Sequence, residues 1–325
     1  MPIKTPENLE ILGHSIPAGA SKTIEFSLAR LFTSTKIEVP IIIERSKKPG
    51  PTVLITAGIH GDEISGIEIA RQIIEKKINK PLIGTVIVIP ILNIFGFLNS
   101  ERMFPDGRDL NRCFPGTKSG SLASRVAHLF TTEIVPLADF CLDFHTGGAS
   151  RFNAPQIRIS KSDSSLIEMA KVFNPPFIMY SPQLEKSYRS ACAKKGIPIL
   201  LYEGGMSLDN DKEITKVGLS GAKNVLHHLG MLKDEFIEER IERNAVIIKK
   251  SRWIRAQRSG LIHVKTECGI HVEKGTLLAL ITDPFGKMSY KVSAPSAGYI
   301  INVNYSPVVH QGDAIFNMSV VSTEE

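Results

Sequence analysis

From about residue 50 the chain alternates short β-branched runs with stretches whose apolar residues recur at helical spacing. The run 52–58 has the length of a buried strand, and Ile64, Ile67, Ala70, Ile73 and Ile74 then line one face of a helix. The run 84–90 predicts a second strand, after which a long polar loop leads to a helix over about 121–134. Residues 140–144 predict a third buried strand. A helix over 164–173, a strand over 177–180, a helix over 186–195 and a strand over 197–202 follow. This alternation predicts an α/β fold, a mixed, mostly parallel sheet flanked by helices on both faces. Residues 1–45 alternate more weakly (Ile24, Phe26 and Leu28; Ile37, Val39, Ile41 and Ile43) and predict edge strands.

The pattern changes near residue 232. A charged amphipathic stretch over 233–250 predicts a helical connector. After Trp253, short strands are separated by turn signals such as Glu273-Lys-Gly275, Asp283-Pro-Phe-Gly286 and Gln311-Gly-Asp313, the mark of an all-β module. The expected division is a main domain over 1–235, a helical connector over 236–252 and a smaller C-terminal all-β domain over 253–325.

Composition narrows the function classes. With 42% apolar and 22% charged residues the chain is an ordinary globular protein. Its net charge of +6 is spread along the sequence, and the densest basic patch, 249–255, is short. Small acidic substrates suit that balance at least as well as nucleic acid, which is not an expected partner. Cys113, Cys141, Cys192 and Cys268 show no paired spacing, so reduced thiols are expected. No apolar run approaches membrane-spanning length, and no secretory pattern opens the chain, so a cytoplasmic location and no membrane partner are expected. A homo-oligomer is compatible with everything above.

Chemistry concentrates where the strands end. Gly-Ile-His60-Gly-Asp-Glu63 closes the 52–58 run, and His145, in Asp-Phe-His145-Thr-Gly, closes the 140–144 run. On a tight strand-to-helix turn, His60 and Glu63 can reach one metal ion. A distant histidine supplies a third ligand, and water takes the open position. An isolated HGDE reads more readily as a capped helix beside a loop histidine. Gly58, Gly61 and the second strand-end histidine favour the metal site. The expected ligands are therefore His60, Glu63 and His145, and the donor set favours one zinc ion per chain. Asp143, on the same strand face as His145, is a candidate to orient it.

Glu203 follows the 197–202 run and shares that sheet edge, where ligands sit in open α/β folds. It is a candidate general base; the alternative is a strand-end glutamate that caps a helix or pairs with an arginine. The loop 93–116 is too aromatic for disorder. Within it Asn111 and Arg112 suit the grip of a carboxylate, Arg102 suits a carbonyl oxyanion, and Asp109 suits orienting the arginines. The alternative is a salt-bridge web that stabilises the loop.

These blocks, in this order, resemble the succinylglutamate desuccinylase/aspartoacylase family of the zinc carboxypeptidase clan. The resemblance covers about residues 38–230, and 253–322 resembles that family's C-terminal domain. It implies a zinc-carboxypeptidase-like sheet, zinc on His60, Glu63 and His145, and Glu203 as the general base. It also implies that Asn111 and Arg112 bind a substrate carboxylate and that Arg102 acts at the scissile carbonyl, although the spacing from that arginine to the Asn-Arg pair varies in the family. Members that hydrolyse acyl-aspartate use further basic and tyrosyl residues, for which Arg189 and Tyr290 are the candidates here. The turns at 294–298 and 309–313 also resemble a lipoyl or biotinyl carrier, but without Met-Lys-Met at a hairpin tip no carried cofactor is expected. The expected activity is a zinc-dependent amidohydrolase cleaving the amide bond of a small N-acyl amino acid or a related carboxylate-bearing amide. The alternatives are a metallocarboxypeptidase acting on a peptide or acidic tail, and a non-catalytic binding protein that uses the β module.

Overall fold

A computed structural model describes residues 8–160, 166–237 and 244–320. A hairpin of β1 (Asn8–Ile11) and β2 (His14–Pro17) precedes the long strands β3 (Ser21–Arg30) and β4 (Lys36–Arg45). Then come β5 (Thr52–Ala57), α1 (Ile64–Glu75), β6 (Thr85–Ile89), α2 (Ile94–Asn99), α3 (Leu122–Leu129), β7 (Phe140–Gly147) and β8 (Arg151–Ile159). They are followed by α4 (Leu166–Phe173), β9 (Phe177–Tyr180), α5 (Tyr188–Lys194), β10 (Ile199–Met206) and α6 (Lys212–His228). The C-terminal region holds β11 (Val246–Ile248), β12 (Ser251–Arg255), β13 (Gly260–Val264), β14 (His271–Val272), β15 (Leu277–Thr282), β16 (Ser289–Ser293), β17 (Gly298–Asn304), β18 (Val308–Val309) and β19 (Ala314–Ser319).

The large sheet runs β12-β19-β17-β8-β10-β7-β5-β6-β4-β3. Its centre, β6-β5-β7-β10, is parallel, and antiparallel strands extend it on both sides. The fold is therefore mixed α/β, as the strand–helix alternation predicts. Every residue of β5, β6 and β7 is buried, which explains why these runs are apolar throughout rather than alternating. Leu54, Ile87 and Cys141 face a core shared with α3 and α5. Val53, Ile55, Val86 and Phe144 face the opposite core, built on α1, α4 and α6. A third core, including Ile262, Leu278, Ile281, Ile300 and Phe316, fills the space between the β16-β15-β13-β18 sheet and the β17–β19 end of the large one.

Several elements depart from the periodicity reading. The predicted helix over 121–134 is α-helical only to Leu129 and continues through 130–134 as a wider π turn. The loop 93–116 contains α2. The reading contains neither α6 nor β8, a strand with Pro155 inside it and no clean apolar alternation. The basic patch at 249–255 lies largely on β12. In the stretch expected to be a helical connector, residues 238–243 lie outside the described residues. Its described part begins with a single 3-10 turn at Asp234–Phe236 and ends in β11, which pairs in parallel with β9, and the start of β12. Among the described residues no helix is long and apolar enough to cross a membrane, and all four cysteines are free.

Candidate active site

The parallel register sets Glu203 of β10 directly beside His145 of β7, and β7 in turn pairs with β5. His60 and Glu63 enter from the β5–α1 turn. That turn crosses α2 so closely that a Cβ on Gly61 would lie 1.9 Å from the carbonyl carbon of Gly96. Glu63 occupies the N-cap position of α1, but its carboxylate makes no capping bond. It turns to the histidines instead, which disposes of the capped-helix alternative. His60 Nδ1 lies 2.6 Å from Oε1 and His145 Nδ1 lies 2.8 Å from Oε2. The backbone N–H of Thr146 also donates to Oε2, at 3.2 Å.

All three side chains are buried, and one donor atom from each lies within 4.8 Å of the other two. The far ring nitrogens are held by carboxylates. His145 Nε2 lies 2.8 Å from Asp143 Oδ2, and His60 Nε2 lies 3.1 Å from Asp109 Oδ1. An acceptor on Nε2 places the proton there and frees Nδ1 to bind, the usual support for a histidine metal ligand. The donor set, its burial and the outer carboxylates all fit a divalent metal ion.

Electrostatics are those of a cage closed on itself. Burial raises the Glu63 carboxyl, but the charges of His60 and His145 outweigh it and hold the group well below the usual carboxylate range. Burial lowers both imidazoles; Asp143 and Glu63 nevertheless push His145 well above its ordinary value. Glu63 and Asp109 raise His60 likewise. Asp109, which burial alone would raise, is held low by His60 and Arg102.

Arg102 stands next to the cage, donating to Asp109 Oδ2 from Nη2 at 2.9 Å and from Nε at 3.2 Å, and to Glu63 Oε1 at 3.1 Å. Asp109 therefore orients Arg102, and it also supports His60. The Arg112 backbone N–H donates to the Asp109 carbonyl at 3.0 Å, but its guanidinium turns elsewhere, with Nη1 donating to the Asn111 carbonyl at 2.8 Å. Asn111 Oδ1 accepts from the Tyr188 backbone N–H at 2.9 Å, which leaves the amide NH2 as its donor. Both residues line a cavity of about 370 Å³ together with His60, Glu63, Arg102, His145 and Glu203.

Glu203 also has the arginine partner its alternative reading foresaw. Arg158 lies 3.1 Å from Oε1, and Asn153 Nδ2 donates to Oε2 at 2.6 Å. Both partners come from β8, so the periodicity reading missed them together with their strand. Asn302 and Trp253, from the C-terminal strands, line the cavity as well. Their only signal in the sequence is a polar or bulky residue on a short strand. Arg189 lines the cavity and bonds to the Arg158 carbonyl, the Ser181 hydroxyl and the Pro182 carbonyl. Tyr290 is not among the cavity-lining residues; its hydroxyl donates to Gln257 Oε1.

Residues 49–229 match the succinylglutamate desuccinylase/aspartoacylase catalytic domain. The chain belongs to this family. As a member it is a hydrolase, and His60, Glu63, His145 and Glu203 all fall within the matched residues. The N-alpha-acetyl-L-2,4-diaminobutyric acid deacetylase of Halomonas elongata is 27% identical over 293 residues, 86% of this chain and 84% of that one. The product-bound ectoine utilization protein EutE (DoeB) of Ruegeria pomeroyi superposes with a TM-score of 0.81 at 23% identity, covering 98% of this chain and 99% of its own. A succinylglutamate desuccinylase/aspartoacylase from Rhodobacter sphaeroides gives 0.80 at 25% identity, over 93% and 94%.

Proposed function

We propose that this family member is a zinc-dependent amidohydrolase that cleaves a small N-acyl amino acid into a carboxylic acid and an amine. The observation that carries the reading is the juxtaposition, on adjacent parallel strands, of the His60–Glu63–His145 cage and the Glu203 carboxylate. A divalent ion held by those three residues would act as a Lewis acid on the amide carbonyl and acidify the attacking water. Glu203 takes the proton from that water and returns it to the leaving nitrogen. Each of its oxygens already accepts one bond and can accept another, so holding by Arg158 and Asn153 is compatible with the transfer. Arg102, fixed by Asp109, supplies donors for the carbonyl oxygen as negative charge develops. Asn111 and Arg112 hold the substrate carboxylate.

The cavity lining favours a substrate that carries negative charge. Among the described residues, Arg102, Arg112, Arg151, Arg158 and Arg189 face the same space as three carboxylates, those of Glu63, Asp143 and Glu203. The H. elongata relative and the family name support an N-acyl amino acid as the class. The proposal places the reaction in the cytoplasm.

The test couples metal content to turnover. Purified protein should carry about one zinc per chain and hydrolyse at least one of N-acetyl-L-aspartate, N-succinyl-L-glutamate and N-acetyl-L-2,4-diaminobutyrate. Glu203→Gln should keep its zinc and lose turnover by about a thousandfold, the scale of general acid–base catalysis. Zinc-loaded protein that hydrolyses no N-acyl amino acid but trims peptides would overturn the amidohydrolase reading.

A further inference from the structure

We propose that Asn302, on β17 of the C-terminal region, is a positioning residue for Glu203 and acts through Asn153. The inference rests on Glu203 being the general base. An ionised carboxylate offers only acceptors, so Oε2 requires Asn153 to present its NH2, which lies 2.6 Å away. That choice turns Asn153 Oδ1 towards the next strand, where Asn302 Nδ2 donates to it at 2.7 Å. The direction of both bonds is thus set from the carboxylate outwards. Reversing either amide would put two donors or two acceptors face to face.

The backbone supports the same path. Asn153 pairs with Gly205 across β10–β8 and with Asn302 across β8–β17, so three neighbouring strands carry the relay. Asn153 is 3% exposed and Asn302 5%, so bulk water competes little for these bonds. Arg158 holds the other carboxylate oxygen from the same β8 strand. The C-terminal region therefore fixes the plane of the base without touching the reacting atoms.

Two variants test this in the zinc-loaded full chain, with whichever substrate of the panel above is turned over fastest. Asn302→Leu keeps the branched outline and removes the donor. Asn302→Asp keeps the outline more closely still, but its carboxylate cannot donate to Asn153. The relay predicts a fall in kcat of about tenfold in both, the usual scale for losing an outer hydrogen-bond partner. KM and zinc content should change less than twofold. Asn302→Asp should be no better than Asn302→Leu.

A merely structural role predicts the reverse order, with Asn302→Asp close to the parent and the melting temperature falling alongside kcat in Asn302→Leu. Parent-like kcat in both variants, or a raised KM at unchanged kcat, overturns the positioning role. Glu203→Gln measured in parallel separates the two levels. If it keeps turnover, the base assignment fails and the relay with it. If it abolishes turnover while both Asn302 variants keep the parent kcat, only the relay fails.

Discussion

Asp143 offers a quantitative test of the metal cage. Its side chain is buried, with Oδ2 2.8 Å from His145 Nε2 and Oδ1 accepting from Thr56 Oγ1 at 2.7 Å. In Asp143→Asn the amide oxygen can take over the bond to His145, and its NH2 can donate to Thr56 Oγ1. The Thr56 hydroxyl hydrogen then has the Leu142 carbonyl as acceptor, at 3.4 Å. Geometry survives and only the charge is lost. A charge-assisted bond is about twice as strong as a neutral one, so the change costs about 1 kcal/mol, or roughly fivefold in zinc Kd.

Asp143→Ala instead leaves the His145 Nε2–H buried without an acceptor. That costs about 1–3 kcal/mol and releases the ring, for a loss of about 10- to 100-fold in zinc affinity. Competition with a chromophoric chelator, on protein stripped of metal and titrated back with zinc, reads both values. Thermal melting of the metal-free forms checks that the fold is intact. An Asp143→Ala variant that binds zinc as tightly as the parent would refute the outer-carboxylate argument. So would Asp143→Asn binding more weakly than Asp143→Ala.

Three further outcomes are expected. Arg112→Ala should raise KM about tenfold or more, the value of a charged hydrogen bond, and change kcat little; a selective loss of kcat would remove Arg112 from carboxylate binding. Zinc affinity should rise with pH, because His60 and His145 are raised in the metal-free protein, so below those values the ion must displace protons. The slope approaches about tenfold per pH unit for each proton displaced, and a flat chelator titration between pH 6 and 8 would count against it. Gly61→Ala should cost about 2 kcal/mol or more in denaturant unfolding and weaken zinc binding, since its Cβ meets α2 backbone at 1.9 and 2.0 Å; an unchanged unfolding midpoint would contradict that crossing.

The central parallel strands were legible because full burial on both faces makes them continuous apolar runs, and the cage was legible because its residues close those runs. His60, Glu63, His145, Asp143 and Glu203 all stand at the mouths of β5, β7 and β10, where a strand reading points of itself. Arg158 and Asn153 were hidden for the opposite reason. β8 alternates poorly, contains Pro155 and owes its pairing to β10, β9 and β17 rather than to its own pattern. Asn302 was further out of reach, since its partner lies 149 positions away. β11, at the end of the expected connector, was hidden similarly, because charge and helical spacing gave no hint that 246–248 would pair with β9.

The sharing of β8 bears on how such a chain can be cut or recombined. Its Gln156–Ile159 end is flanked by β9, whereas its Arg151–Asn153 end is flanked by β17. A polypeptide shortened to the family-matched 49–229 would leave the latter stretch with an open row of N–H and C=O groups, a template for pairing with other chains. Crossovers between homologous sequences face the same constraint. A breakpoint between α6 and β11 would draw the two halves of the strand pairing, and the two asparagines that meet across it, from different parents. Viable chimeras should be those in which that pair is compatible, whatever the agreement elsewhere.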